Sequence, residues 1–286
     1  MIRLISILVG LGFTVAVLWA FGNGLATVIS EGELKPETAE HIYHEHAHDP
    51  EGGFAHDGLF GKWDYVQLQR GYQVYKEVCS ACHSMKFVAF RNLGELGYTE
   101  AEVKAEAAAW QVPGIDPNTG EATSRAATPT DYFPSPYPNA VAARAANNNA
   151  IPPDLSLITK ARHNGPAYVY SLLTGYQEQP AALVEEFPDA KTGAGLHYNP
   201  YFANLNIAMA PPLTSAGQVT YADGTEATIP QMAEDVAAFL TWTAEPTMVK
   251  RKQTGWAVLG FLVFATILAY LAKKQVWSSI KPKHED

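Results

Sequence analysis

Cys79 and Cys82 are the only two cysteines in the chain, and His83 follows the second directly. The pattern Cys-x-x-Cys-His is typical of covalent attachment of a c-type haem. One helical turn brings both sulfurs to the two vinyl groups of one porphyrin, and the adjacent imidazole then falls beneath the iron. A structural zinc site would need a second pair of ligands, and no second cysteine pair exists. A thioredoxin-like dithiol would need a βαβ context, which the sequence lacks. The motif therefore predicts one covalent haem c with His83 as an iron ligand.

A haem that only transfers electrons needs a sixth ligand, and methionine is the usual one at a high-potential site. Of the five methionines, the initiator is excluded, and Met85 is too close to His83 to reach the opposite haem face. Met232 lies on an amphipathic stripe, and Met248 adjoins an apolar run. Met209 remains, among small residues and followed by two prolines that stiffen its loop.

Two histidines, His163 and His197, stay open as rival sixth ligands. Arg162 is one of few cations in an acidic region, and its guanidinium suits a haem propionate. The residues alone leave the Arg162 assignment open as well.

Charge is distributed unevenly along the chain. From Glu31 to Glu245 there are 27 acidic and 12 basic residues, a net charge of about −15, whereas Lys250 to Asp286 carries 7 basic and 2 acidic ones. An acidic body of this kind repels nucleic acid and attracts basic partners in a salt-dependent way. The composition therefore argues against a nucleic-acid partner and is compatible with docking of a basic protein.

Two apolar runs, Leu4 to Phe21 and Gly255 to Ala272, are each near the minimum length for a membrane helix. The first is either a secretory signal or a retained anchor. Its single preceding Arg3 argues against a mitochondrial transit peptide and favours a bacterial source.

A histidine cluster follows in a segment interpreted as a polar tether, with a metal site as the alternative; its members are His41, His44, His46 and His48.

The intervening region predicts helices joined by long loops. Asp64 is expected to cap a helix whose apolar stripe runs into the cysteine motif, through Leu68, Tyr72, Tyr75 and Cys79. A second helix is expected over residues 167–174, and a third carries the stripe Ile229, Met232, Val236 and Leu240. Residues 111–149 are interpreted as a long irregular excursion, which is typical of functional loops.

Several stretches in order resemble one family, cytochrome c1, the haem subunit of quinol–cytochrome c oxidoreductase (the bc1 complex), in its bacterial form. The resemblance covers residues 60–281. Its motifs include RGYQVYKEVCSACHSMKFVAFRNL from Arg70, DYFPSPYPN from Asp131, AARAANNNAIPPDLSLITKARH from Ala142, YVYSLLTGY from Tyr168, YNPYF from Tyr198, MAPPL from Met209 and DVAAFLTWTAEP from Asp235.

The resemblance implies thioethers at Cys79 and Cys82 and axial ligation by His83 and Met209. It also implies three residues near the haem propionates: Asn147, Arg162 and Tyr168. Some members carry extra cysteines that form a disulfide near the axial methionine; this chain has none, so packing must hold that loop. The N-terminal apolar run and the histidine cluster lie outside the recognised pattern.

The function expected from the resemblance is single-electron transfer from a Rieske iron–sulfur protein, through haem c, to a cytochrome c. Such a chain is an electron carrier and is not catalytic alone. Cytochrome b, membrane lipid and a dimeric multi-subunit complex are the further partners expected, at a bacterial inner membrane with the haem domain on the periplasmic side. The alternatives are a haem-c subunit of another oxidase or reductase, and an iron-binding sensor or haem-delivery protein.

The expected fold is mostly α, a cytochrome c-like haem domain with long loop insertions, plus a C-terminal transmembrane helix and a candidate N-terminal one. The expected segments are an apolar N-terminus (1–22), a polar linker (23–60), the haem domain (61–249), the anchor (250–272) and a basic cytoplasmic tail (273–286).

Overall fold

The computed structural model of the protein describes residues 2–31 and 38–280. Over these residues the chain is mostly α, as predicted. The helices are α1 (Ile2–Glu31), α2 (Ala39–Tyr43), α3 (Tyr65–Val74), α4 (Glu100–Ala108), α5 (Ala140–Ala146), α6 (Ile158–Ala161), α7 (Gly165–Thr174), α8 (Ala181–Glu186), α9 (Ile229–Ala244) and α10 (Met248–Trp277). A π-helical turn, Tyr75–Cys79, continues α3, and 3₁₀ turns occur at Phe90–Leu96 and Pro188–Ala190.

The chain divides into two units, one up to Tyr43 and one from His44 onward. In the first unit, α1 has 30 residues, which corresponds to a length of about 45 Å. In the second, α10 also has 30 residues. Both helices are long and apolar enough to cross a membrane, and each contains one of the apolar runs found in the sequence.

We call the second unit without α10 the body. Its hydrophobic core forms where α3 packs against α9. Gly71 lies at this crossing, where an added Cβ would collide with the carbonyl oxygen of Asp235 and with Phe239. The absence of a side chain therefore lets the two helices approach closely. α6 and α7 pack on α9 as well.

The predicted helix starts and stripes are confirmed. The Asp64 carboxylate accepts hydrogen bonds from the backbone of Val66 and Gln67, at 3.0 and 3.1 Å, which caps α3. The apolar stripe of α3 is buried, and so are Met232, Val236 and Leu240 on α9. α7 covers the helix expected over residues 167–174.

The excursion over residues 111–149 is more regular than the sequence analysis expected. β1 (Gln111–Ile115) and β2 (Ala122–Ala126) form an antiparallel hairpin in which Gln111 pairs with Ala126, and α5 lies further along the same stretch. β1 contains Pro113 and Gly114, and β2 is exposed along its whole length, so neither strand has the alternating apolar pattern that predicts a strand. A second short hairpin joins β3 (His197–Tyr198) to β4 (Asn206–Ile207).

The segment from His44 to Phe60, interpreted from the sequence as part of a tether, packs on the body. Phe54 and His56 are buried. The backbone amide of His48 donates to the Ser171 hydroxyl at 2.9 Å, and the His48 ring lies edge-on to Tyr170.

Candidate functional site

The cysteine motif lies at the carboxyl end of α3, in backbone that the π-helical turn reshapes. The amide of Ser80 donates to the carbonyl of Tyr75 at 2.8 Å, five residues back, and the amide of His83 donates to the carbonyl of Cys79 at 2.9 Å. Turns of this kind occur frequently at functional sites. Because Tyr75 is fully buried, the start of the motif is fixed in the core.

The two sulfurs differ in their surroundings. Cys79 is half-buried and Cys82 is exposed, and both thiols are free. Burial, with a smaller contribution from Cys82, raises the pKa of the Cys79 thiol to about 12. Because the thiolate is the form that acts as nucleophile and metal ligand, a Cys79 thiol protonated near neutral pH is poorly suited to dithiol redox chemistry or zinc binding.

His83 is held in an orientation that suits a metal ligand. Its Nδ1 lies 2.8 Å from the carbonyl oxygen of Pro153. In the tautomer that donates this hydrogen bond, Nε2 keeps its lone pair free for a metal, an arrangement that ligating histidines commonly show. Burial lowers the pKa of His83, although Pro153 and Asp154 oppose the shift. The neutral imidazole, which is the form that binds metals, is therefore favoured.

Asp154 fixes the loop that supplies this acceptor. Its carboxylate accepts hydrogen bonds from the Ser84 hydroxyl at 2.8 Å, the Lys86 amide at 2.9 Å and the Ser156 amide at 3.0 Å. The residues after His83 are thus tied to the residues after Pro153. Pro153 and Asp154 were not predicted from the sequence to take part in the site. The signal that pointed to them is that a ligating histidine needs an acceptor for its second nitrogen.

Met209 lies just after β4 and is partly exposed. Its backbone carbonyl accepts a hydrogen bond from the Tyr176 hydroxyl at 3.0 Å, which holds the loop without a disulfide. The other described methionines, Met85, Met232 and Met248, belong to the hydrophobic core. Their burial agrees with the elimination that selected Met209, whose ligand role stays a prediction.

Two of the three residues expected near the propionates lie together. The guanidinium of Arg162 lies over the Tyr168 ring, 6.0 Å from its centroid, and Arg162 has no carboxylate partner among the residues that the structure describes. Asn147 caps α5 instead: its side-chain amide donates to the Ala143 carbonyl at 2.7 Å and accepts from the Tyr137 hydroxyl at 3.5 Å. Its predicted role is not tested by these contacts.

The other histidines occupy different surroundings. His163 is exposed, and His197 is half-buried with its ring edge-on to Tyr176. In the N-terminal cluster, His44 and His46 are exposed. Within residues 2–31 and 38–280, no group of three or more His, Cys, Asp or Glu side chains is arranged to hold a metal ion. The metal alternative for the cluster therefore gains no support.

Comparisons with known proteins identify the family that the chain matches. The profile of the cytochrome C1 family matches residues 54–280. Cytochrome c1 of Rhodospirillum rubrum is 45% identical over 238 residues, 78% of this chain and 85% of the relative. "Cytochrome c1-2, heme protein, mitochondrial" of Solanum tuberosum is 44% identical over 261 residues, 91% of this chain and 94% of the relative. "Cytochrome b/c1" of Bradyrhizobium diazoefficiens is 47% identical over 236 residues, 77% of this chain and 34% of that longer protein.

Proposed function

Because the chain belongs to the cytochrome c1 family, the haem-carrying electron-transfer subunits of the bc1 complex, we propose that Cys79 and Cys82 bind the haem and that His83 and Met209 are its axial ligands. When bound, the haem iron accepts and releases one electron at a time. The observation that carries the assignment is the bond between His83 Nδ1 and Pro153, because it leaves Nε2 free for the iron.

Arg162 is the residue best suited to a propionate. Its charge has no carboxylate partner among the described residues, and its guanidinium is steadied by the Tyr168 ring. A paired anion there would gain charge-assisted hydrogen bonds. Asn147 is included among the proposed propionate-binding residues because it lies in the family motif that begins at Ala142.

The electron donor is proposed to be a Rieske iron–sulfur protein and the acceptor a cytochrome c, within a dimeric complex that contains cytochrome b. The negative charge between Glu31 and Glu245 supports a basic acceptor, because opposite charge steers encounter. Family membership implies the complex itself, while the individual partners belong to the proposal.

The chain is a membrane protein by its family and its apolar helices. We propose that it is bacterial, that α10 anchors it, and that residues 61–249 form a periplasmic haem domain. The basic residues at the start of α10 run against the positive-inside rule. Two of them are engaged locally, however: Arg251 pairs with Glu245, and Lys252 donates to the carbonyls of His56 and Gly58 at 2.9 and 2.7 Å. Lys273 and Lys274, at the other end of α10, fit a cytoplasmic end.

The substitution Met209→Leu tests the ligand assignment. Removing the thioether should lower the reduction potential by a sizeable part of the ~0.8 V range that axial ligands span, and should open the iron to carbon monoxide. Redox titration and the carbon monoxide difference spectrum measure the two effects.

Met232→Leu is the matched control, since it makes the same replacement in the core and should change neither property. If Met209→Leu keeps the wild-type potential and stays closed to carbon monoxide, Met209 is not the ligand, and His163 and His197 become the candidates.

A further inference from the structure

A short loop beside the start of α10 exposes two adjacent apolar side chains. Leu59 is 65% exposed and Phe60 is 78% exposed. Single exposed apolar side chains are ordinary on a protein surface, but these two lie next to a helix that is itself apolar and exposed. The contacts of the loop with α10 indicate where these two side chains lie relative to the membrane.

The loop is fixed in place from both sides. The buried ring of His56 lies between those of Phe54 and Trp63, with centroids 5.2 and 5.0 Å away. The indole of Trp63 donates to the carbonyl of Pro246 at 3.2 Å, and Lys252 holds two loop carbonyls. The loop is therefore tied to the first turns of α10, and its exposed residues keep a defined position relative to that helix.

Phe60 reaches the beginning of the apolar part of α10. Its ring stacks on Trp256, with centroids 5.6 Å apart and planes inclined by 10°. Trp256 is the second residue of the apolar run that begins at Gly255. Aromatic side chains at the end of such a run typically lie at the boundary between headgroups and acyl chains. Because its ring stacks on Trp256, Phe60 lies at the same depth as Trp256 in the membrane.

Basic residues lie on the water side of this level. Lys250, Arg251 and Lys252 precede Trp256 on α10, and Lys250 is exposed. Arg251 and Lys252 are engaged with Glu245 and with loop carbonyls, so Lys250 is the residue of the three whose exposed side chain is left to face the lipid headgroups. Apolar side chains therefore lie at the depth of Trp256, and positive charge lies nearer to water. A segment in a lipid interface is expected to have this arrangement.

We propose that Leu59, Phe60 and Trp256 form an interfacial foot, inserted into lipid where headgroups meet acyl chains. The proposal rests on the proposed role of α10 as membrane anchor. The foot gives the body a second attachment to the membrane beside α10. Interfacial anchors of this kind fix the tilt and rotation of a membrane helix, and here they would also fix the orientation of the body.

Photo-cross-linking in the full chain, within its complex in native membranes, tests the foot. The label is p-benzoylphenylalanine, placed in separate variants at Phe60, at Leu262 in the middle of α10, and at Ile115 on the β1–β2 hairpin, which is 73% exposed. After illumination, mass spectrometry distinguishes lipid adducts from protein adducts. Haem absorbance verifies that each variant folds, and Leu59 carries the label if the Phe60 variant does not accumulate.

Lipid adducts at positions 60 and 262, with few at 115, are expected. Adducts at 262 but none at 60 overturn the foot and leave the anchor intact, whereas no adducts at 262 overturn the anchor. Cross-links from 60 to another protein subunit also overturn the foot. Equal lipid labelling at 60 and 115 does so too, because exposure alone would then explain the result.

Discussion

Replacing His56 by phenylalanine should remove a pH dependence of stability that the wild-type protein carries below neutrality. His56 is only 3% exposed, and its Nε2 has no hydrogen-bond partner among the described residues. Burial lowers its pKa to about 4 from the usual 6.5. Two charged groups face it: Asp57, whose carboxylate lies 3.9 Å from Nε2, opposes the shift, and Lys252 adds to it.

The sign follows from proton binding. Between pH 6.5 and about 4, the unfolded chain binds a proton at His56 that the folded chain does not. Stability from this group is therefore complete above pH 6.5 and is lost as the pH falls towards 4. At about 1.4 kcal/mol per pH unit, the full loss is about 3 kcal/mol, and the part lost between pH 7.5 and pH 5 is about 2 kcal/mol.

The assay is thermal unfolding of the full-length, haem-loaded chain in detergent at pH 7.5 and pH 5. The wild-type Tm should fall more than that of His56→Phe, by roughly 4–8 °C. His46→Phe is the matched control, because the His46 side chain is exposed, and it should behave as the wild type. Parallel losses of Tm in His56→Phe and the wild type would refute the reasoning.

Four further outcomes are expected. Asp235→Ala removes the fully buried carboxylate that Arg70 contacts at 2.9 Å and leaves Arg70 with Asp223 alone, so denaturant unfolding should show a loss of about 1.5–3 kcal/mol. Asp223→Ala, which removes the more exposed partner of Arg70, should cost about 1 kcal/mol or less. Electron transfer to a basic cytochrome c should slow steeply as ionic strength rises, because steering is screened beyond ~8 Å at 0.15 M, and stopped-flow rates indifferent to salt would remove the docking role. Truncation before Gly255 should release a soluble haem protein only if the N-terminal run is cleaved, which fractionation and N-terminal sequencing decide; periplasmic protease access to the C-terminal tail in intact cells would refute the topology.

The haem chemistry could be predicted from sequence because its signals are local. Cys79, Cys82 and His83 are adjacent, so their spacing alone indicates the cofactor. The cap at Asp64 and the stripe through Leu68 and Tyr72 depend on residues within one or two helical turns. The family's haem cofactor, the cap and the stripe were confirmed, whereas the roles of the individual haem-binding residues stay predictions.

The features that the sequence did not indicate depend on distant partners. The acceptor for His83, the carbonyl of Pro153, lies 70 residues along the chain. The burial of His56 depends on Trp63 and on Lys252, 196 residues away. The π-helical turn at Tyr75–Cys79 changes the backbone hydrogen bonding without changing the apolar pattern, so periodicity could not reveal it.

The close crossing at Gly71 connects the haem-binding motif to the proposed membrane anchor. One of the crossing helices, α3, continues into the cysteine motif, and the other, α9, leads within four residues of its end to α10. In the proposed topology, the height of the cofactor above the bilayer thus depends on this crossing together with the contacts that tie the loop before α3 to the start of α10. An extra residue in the β1–β2 turn would change only the exposed surface of that hairpin. An extra residue between α9 and α10 would shift the redox centre relative to the anchor, because the link between these helices is short, so tolerance to insertions should differ sharply between these two places.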